Sequence, residues 1–263
     1  MQTISISKKT NKLIMQLAHE IKDASESFTK KQWLILILKI ISLAGHDTFV
    51  TKAKSVKTLS KQLNKKIRTY KANPKRVFKR DALSAKKAIS EFPNNIKSRV
   101  MQFQALPKEK QCESAIVSTI GLVIFFASAG GFDFEGGLPD QDLKFGIGKH
   151  RHILSHSIIL GFGAEFTMRF VMFFLSAIYF RLPNPHHEIW DKIHEFIQKT
   201  KNIGIAAMWM GIGAHLLKDA NLFAARIKPY AGIPGSHGMT FHKNLFATNA
   251  AVAEVIGIKS IKK

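Results

Sequence analysis

Eighteen consecutive residues, Ser114 to Gly131, carry no charge. A run this apolar has to leave water, either as a helix in a large core or as a helix in lipid. Its length sits at the lower limit for crossing a bilayer, which takes about 20 residues. Its Gly, Ala and Ser residues suit close helix packing in both settings. Ile153–Phe180 has the same character, with only His156, Glu165 and Arg169 as polar ionisable groups. Glu165 precedes Arg169 by four, the favourable order for an ion pair on one helix face. A third apolar stretch is Ile203–Leu217, and a weaker fourth is Phe246–Ile258 with Glu254 inside it. Between the second and third lie a polar hinge, Arg181–Glu188, and a charged amphipathic helix around Trp190–Lys199. No alternating strand pattern and no internal repeat occurs. The expectation is an all-α chain whose second part is an apolar, membrane-embedded helical bundle.

The first part is different. Residues 1–112 hold 25 basic and 7 acidic side chains, a surplus of 18, whereas residues 113–263 hold 15 and 11. The division predicts a basic helical region, 1–112, followed by an apolar helical metal-site domain, 113–263, with the boundary in the punctuated stretch at 105–113. Leu13, Ile14, Leu17 and Ile21 predict an amphipathic helix over 10–26. Ser27 or Thr29 can cap a second helix, through Gln32–Leu43, that stops at Gly45. Lys39 interrupts it, so it reads as a buried helix or an in-plane anchor. Pro74 and Pro93 are expected to cut residues 50–100 into short helical pieces.

A chain with a formal charge of +22 is drawn to polyanions. Anionic membrane lipids are the expected partner, with nucleic acid a second one through residues 52–99. Oligomeric state is not legible. The lone Cys112 excludes an internal disulfide framework. Met1–Lys12 lacks an apolar core of the kind a secretory signal carries.

Three clusters carry side chains able to bind metal. Asp140 and Asp142 sit two apart in the Gly/Pro loop Gly136–Asp142, where both carboxylates can turn to one point. His150, His152 and His156 fall within seven residues at the mouth of an apolar stretch; His152 and His156 share a face if the segment is helical. Arg151, beside them, is suited to an anionic oxygen. His215 and Asp219 are four apart on an apolar helix, one turn from each other. Ionisable groups in such a helix are costly unless paired or put to use. Asp140, Asp142, His150, His156, His215 and Asp219 are therefore the candidate ligands, and Arg151 and His152 the candidate catalytic residues. The glycine-rich loop Gly232–His242, with His237 and His242, is a candidate substrate entrance.

The order Gly-x-Leu-Pro-Asp-x-Asp, His-Arg…His-Ser, His-Leu-Leu-x-Asp resembles the YdjM-like family of predicted inner-membrane, metal-dependent hydrolases. The elements are Gly136–Asp142, His150-Arg151 with His156-Ser157, and His215–Asp219, and the resemblance covers roughly residues 116–220. The separation of His150 and His156 is six rather than the family's usual five, which leaves His152 as an alternative ligand. The resemblance, with its more distant similarity to zinc-dependent phospholipase C and P1 nuclease, implies helices carrying a phosphoesterase-like site. The expected cofactor is a divalent metal, zinc first, with manganese or magnesium as alternatives. The expected activity is hydrolysis of phosphoesters by metal-activated water, at the inner membrane with the basic region on the cytoplasmic side. A metal-dependent nuclease and a non-enzymatic basic membrane-binding protein are the alternatives.

Overall fold

The computed structural model describes residues 8–146, 151–221, 223–224, 226–233 and 238–261; Met1–Ser7, His150 and His237 lie outside them. Among the described residues eight α-helices follow in order: α1 (Lys8–Glu26), α2 (Lys30–Gly45), α3 (Thr51–Ala72), α4 (Pro74–Gln104), α5 (Lys108–Ala129), α6 (Ile158–Tyr179), α7 (Ile189–Ala220) and α8 (Met239–Ile261). A π-helical turn, His46–Val50, joins α2 to α3, and a 3-10 turn, Pro139–Phe145, lies between α5 and α6. The fold is all-α. The single β-type contact among the described residues is an isolated bridge between His152 and Ala231.

Thr29 begins α2 with a reciprocal cap. Its hydroxyl accepts from the Gln32 amide at 3.3 Å, and the Gln32 side chain accepts from the Thr29 amide at 2.8 Å. The α-helix ends at Gly45 as the glycine suggested, but the chain does not turn away there. Gly45 keeps helical angles, and the chain passes through the π turn directly into α3. Nothing occupies the space beside Gly45, and no proline follows it, so the glycine is tolerated rather than used as a turn. Pro93 likewise lies inside the 31-residue α4 instead of ending it, while Pro74 opens that helix at its first turn. A proline removes one backbone donor, and a long helix absorbs that loss.

Helix α7 is the axis of the bundle. From Gly204 to Ala220 it is buried on nearly every side, against α5, α6 and α8. The core is Met208, Trp209, Ile212 and Leu216 of α7 with Phe246, Ala253 and Ile256 of α8. At Gly211 the α5 and α7 backbones meet. A Cβ there would stand 2.4 Å from the Phe125 carbonyl oxygen, so only glycine fits. The charged segment at 190–199 and the apolar segment at 203–217 are one helix, not two. Its polar half sits beside the end of α6, where the Tyr179 hydroxyl donates to Asp191 at 2.7 Å; its apolar half enters the core. The change of composition marks a change of surroundings along one rod.

Buried charge ties the amino-terminal helices to this bundle. Glu165 of α6 is fully buried. It accepts from Arg169 Nε at 2.8 Å and from Trp209 Nε1 at 2.5 Å, and Lys52 Nζ of α3 lies 3.6 Å away. Lys52 also donates to Ser260 Oγ of α8 at 2.5 Å, and Arg169 reaches Asp47 at 3.5 Å. Such charges cost several kcal/mol each in a dry interior unless they are paired. Glu20 of α1 plays a similar part at the far end. Burial works to raise its carboxyl, but hydrogen bonds from Gln16, the Trp190 indole and the His187 amide hold it below its ordinary value.

Three helical segments among the described residues are long and apolar enough to cross a membrane: Lys30–Lys66, Lys108–Ala129 and Ile158–Tyr179. Their apolar windows are only 17%, 17% and 11% buried, so most of that surface faces outward. Leu34, Leu38, Leu122, Val123 and Ile159 are among the exposed side chains. Water would penalise such faces and lipid would not.

Candidate metal centre

Two local structures deliver the first carboxylates. Helix α5 ends in a run of glycines, and the chain returns across its end. Gly137 adopts φ +73°, and a Cβ on it would lie 2.5 Å from the Gly130 backbone nitrogen. The returning segment enters the 3-10 turn, which presents Asp140 inward. The Gly136 amide donates to Asp140 Oδ2 at 2.6 Å, which fixes that carboxylate and leaves Oδ1 facing the histidines.

His156 lies one residue before Ser157, which caps α6 by accepting from the Ile159 amide at 3.2 Å. The segment ahead of the cap is turns rather than helix, so His152 and His156 do not share a helical face. His156 is fully buried. Its backbone carbonyl accepts from the Tyr230 hydroxyl at 2.6 Å, and its ring packs edge-on to Phe246. His215 and Asp219, one turn apart near the end of α7, complete the group.

These side chains converge on one point. His156 Nε2 is 3.2 Å from Asp140 Oδ1 and 3.5 Å from Asp219 Oδ2. His215 Nε2 is 3.4 Å from Asp140 Oδ1 and 3.6 Å from Asp219 Oδ2. Asp140, His156 and His215 form a buried Asp/His/His cluster capable of coordinating a metal ion. Four donors around zinc at about 2.0–2.1 Å would stand roughly 3.3–3.4 Å from one another. The separations in this cluster bracket that value. His215 Nε2 and Asp219 Oδ2 are buried without a hydrogen-bond partner. An interior seldom leaves two polar atoms so, unless another group belongs between them.

The outward nitrogens are held as a metal site requires. His215 Nδ1 is 3.0 Å from the Ala129 carbonyl oxygen, so it donates there and leaves Nε2 as the nitrogen that faces the cluster. His156 Nδ1 is 3.2 Å from Asp142 Oδ2 and 3.0 Å from Ser155 Oγ. Asp142 also accepts from the Ser155 hydroxyl at 2.5 Å and the His152 amide at 3.1 Å. The two carboxylates of the Asp-x-Asp pair therefore sit on opposite nitrogens of one imidazole.

The remaining sequence candidates are placed as follows. Arg151 Nη2 donates to Asp219 Oδ1 at 2.5 Å and Nη1 to the Lys228 carbonyl at 3.2 Å, with the guanidinium 5.8 Å from the Phe246 ring centre. Its φ of +63° is a left-handed conformation that costs a non-glycine residue about 1–3 kcal/mol. The His152 ring accepts from the Leu154 amide at 3.3 Å and lies beside Gly232. His242 is buried and accepts from the Tyr230 amide at 3.1 Å, so it supports the chain next to the cluster. Sequence reasoning passed over the Ala129 carbonyl, Ser155 and Tyr230. The adjacency of Ser155 to His156 hinted at one of them; nothing local marks a carbonyl 86 residues from its imidazole.

The electrostatics favour opposite charges at this point. Burial works against a charged His215, but the Asp140 and Asp219 carboxylates outweigh it and hold the imidazole up at about 9. Burial works to raise Asp140, but His156 and His215 outweigh it and hold that carboxyl well below the usual range. A divalent cation would replace those protons as the balancing charge.

No family model, curated protein or solved structure matches this chain.

Proposed function

We propose that this protein is a membrane-associated, metal-dependent hydrolase of phosphoesters. The observation that carries the reading is the convergence of Asp140, His156, His215 and Asp219 from three separate segments, with the outward nitrogen of each imidazole already locked. His215 Nε2 and Asp219 Oδ2, buried without a hydrogen bond and 3.6 Å apart, border the same space, where an ion between them would satisfy both. Two neutral imidazoles with carboxylates form a donor set suited to zinc, with manganese the next choice.

In this reading Asp140, His156, His215 and Asp219 are the ligands. Asp142 and the Ala129 carbonyl position the two imidazoles. Arg151 orients Asp219 and supplies the cation nearest the cluster, where it would favour an anionic oxygen. A bound divalent ion would supply a hydroxide near neutral pH and polarise a phosphoryl oxygen. The resemblance of Gly136–Asp142, His150–Ser157 and His215–Asp219 to the YdjM-like family supports the same chemistry. The exposed apolar faces of α2, α5 and α6 support a bilayer setting, and the basic amino-terminal region then favours the cytoplasmic side of the inner membrane.

The test is hydrolysis of a chromogenic phosphodiester by the purified full chain, metal-loaded and chelated, beside His215→Ala. Metal-dependent turnover that His215→Ala abolishes is the expected result. A metal-loaded chain with no turnover on phosphomonoesters or phosphodiesters would remove the hydrolase reading while leaving the metal site standing.

A further inference from the structure

Helix α4 is the longest basic element, and it contributes almost nothing to the core. Of its described side chains Val77 alone is buried. Its chief partner is α3, joined by the ion pair of Lys66 and Asp81 at 3.2 Å. The rest presents a regular surface. At 100° per residue, Phe78, Ile89, Phe92, Ile96, Val100 and Phe103 fall within about 80° of arc, a single stripe along the helix. All six are exposed, Ile89 at 74%, Phe78 at 67% and Phe92 at 62%. The helix carries eight cations against two acids. Lys75, Lys79, Lys86 and Lys97 fall along one border of the stripe, Arg99 and Asp81 on the other, and Arg76, Arg80 and Lys87 on the opposite face.

We infer that α4 lies in the plane of an anionic bilayer surface, its phenylalanine and isoleucine stripe among the acyl chains and its lysines at the phosphates. This inference is independent of the metal centre. The pattern separates the occupants. Helices that dock on nucleic acid turn their cations toward the phosphates, but here the row of four lysines borders an exposed apolar face that has no use for a phosphate backbone. A second copy of α4 would bring two surfaces of surplus positive charge together. A bilayer with acidic headgroups satisfies both parts at once, since long lysine side chains reach up to the headgroups while the stripe sinks.

The experiment uses the full chain with Cys112→Ser, so that one introduced thiol can be labelled with an environment-sensitive fluorophore. Phe92→Cys places the probe on the stripe, and Lys87→Cys places it about 180° from the stripe's centre. Each labelled protein is reconstituted into vesicles of phosphatidylcholine alone and of phosphatidylcholine with phosphatidylglycerol. The probe at Phe92 is expected to shift to the blue and to become several-fold less accessible to acrylamide in the acidic vesicles. The probe at Lys87 stays wet in both, and added salt weakens the difference. Equal wetting of the two positions in acidic vesicles would overturn the inference. So would a shift at Phe92 that appears only with a DNA or RNA oligonucleotide, or one that follows protein concentration without vesicles.

Discussion

Replacing Asp142 with Asn separates a ligand from a positioning group. Asp142 accepts from Ser155 Oγ at 2.5 Å and the His152 amide at 3.1 Å, and stands 3.2 Å from His156 Nδ1. Asparagine keeps the shape and one acceptor oxygen but removes the charge that makes His156 a better electron donor. Loss of such an outer partner typically weakens metal binding about 10–100-fold, or about 1.4–2.7 kcal/mol. Removal of a ligand such as His156 should cost far more, because one of the donors to the ion disappears. The assay is zinc titration of the purified full chain against a chromogenic chelator, for wild type, Asp142→Asn and His156→Ala. The expected order is wild type tightest, Asp142→Asn weaker by one to two decades, and His156→Ala without measurable binding. Affinity of Asp142→Asn equal to wild type, or as poor as His156→Ala, would refute the assignment of Asp142 to the outer nitrogen.

Other consequences follow from the same geometry. In chelated protein His215 is held at about 9, above its ordinary 6.5, so its stabilising charge is present below pH 6.5 and lost as pH rises through 9. Zinc-loaded protein needs the neutral imidazole, so its stability should rise as pH climbs to about 6.5 and stay level above it, whereas melts of the chelated form should fall between 6.5 and 9. Lys52→Met removes one of the two cations facing Glu165 and leaves Arg169 in place, so the expected loss is about 1–3 kcal/mol in denaturant unfolding. The loss should be smaller in a Glu165→Gln background, and equal losses in the two backgrounds would show that the pair is not coupled. Gly137→Ala forces a side chain into a φ of +73° and toward the Gly130 nitrogen, so it should cost at least about 1–3 kcal/mol and reduce zinc content. A melt and metal content like the wild type's would show that the turn has other ways to form.

The extent to which the chain announced this arrangement depends on distance along it. The all-α class and the apolar helices were legible, because runs such as Ser114–Gly131 have few places to go. His215 and Asp219 were legible as a pair, since a separation of four on a helix fixes a shared face. Asp140 and Asp142 were legible as candidates but not in their difference, which depends on which side of the His156 ring each oxygen lies. That ring is placed by Tyr230, Phe246 and the cap of α6, none of them near it in sequence except Ser157. The Lys52–Glu165 contact spans more than a hundred residues and had no local signature. Continuity through Gly45 and Pro93 was misread, because breaker residues lower helix propensity without forbidding a helix that its neighbours hold.

The metal content of the full chain bears most directly on all of this. Protein expressed with zinc and manganese supplied, purified without chelator and analysed by elemental mass spectrometry, should carry about one divalent ion at the cluster. A His215→Ala, Asp219→Ala double variant that remains folded should carry almost none. A folded wild-type chain without bound metal, or a double variant that retains the same content, would contradict a metal held between His156, His215, Asp140 and Asp219.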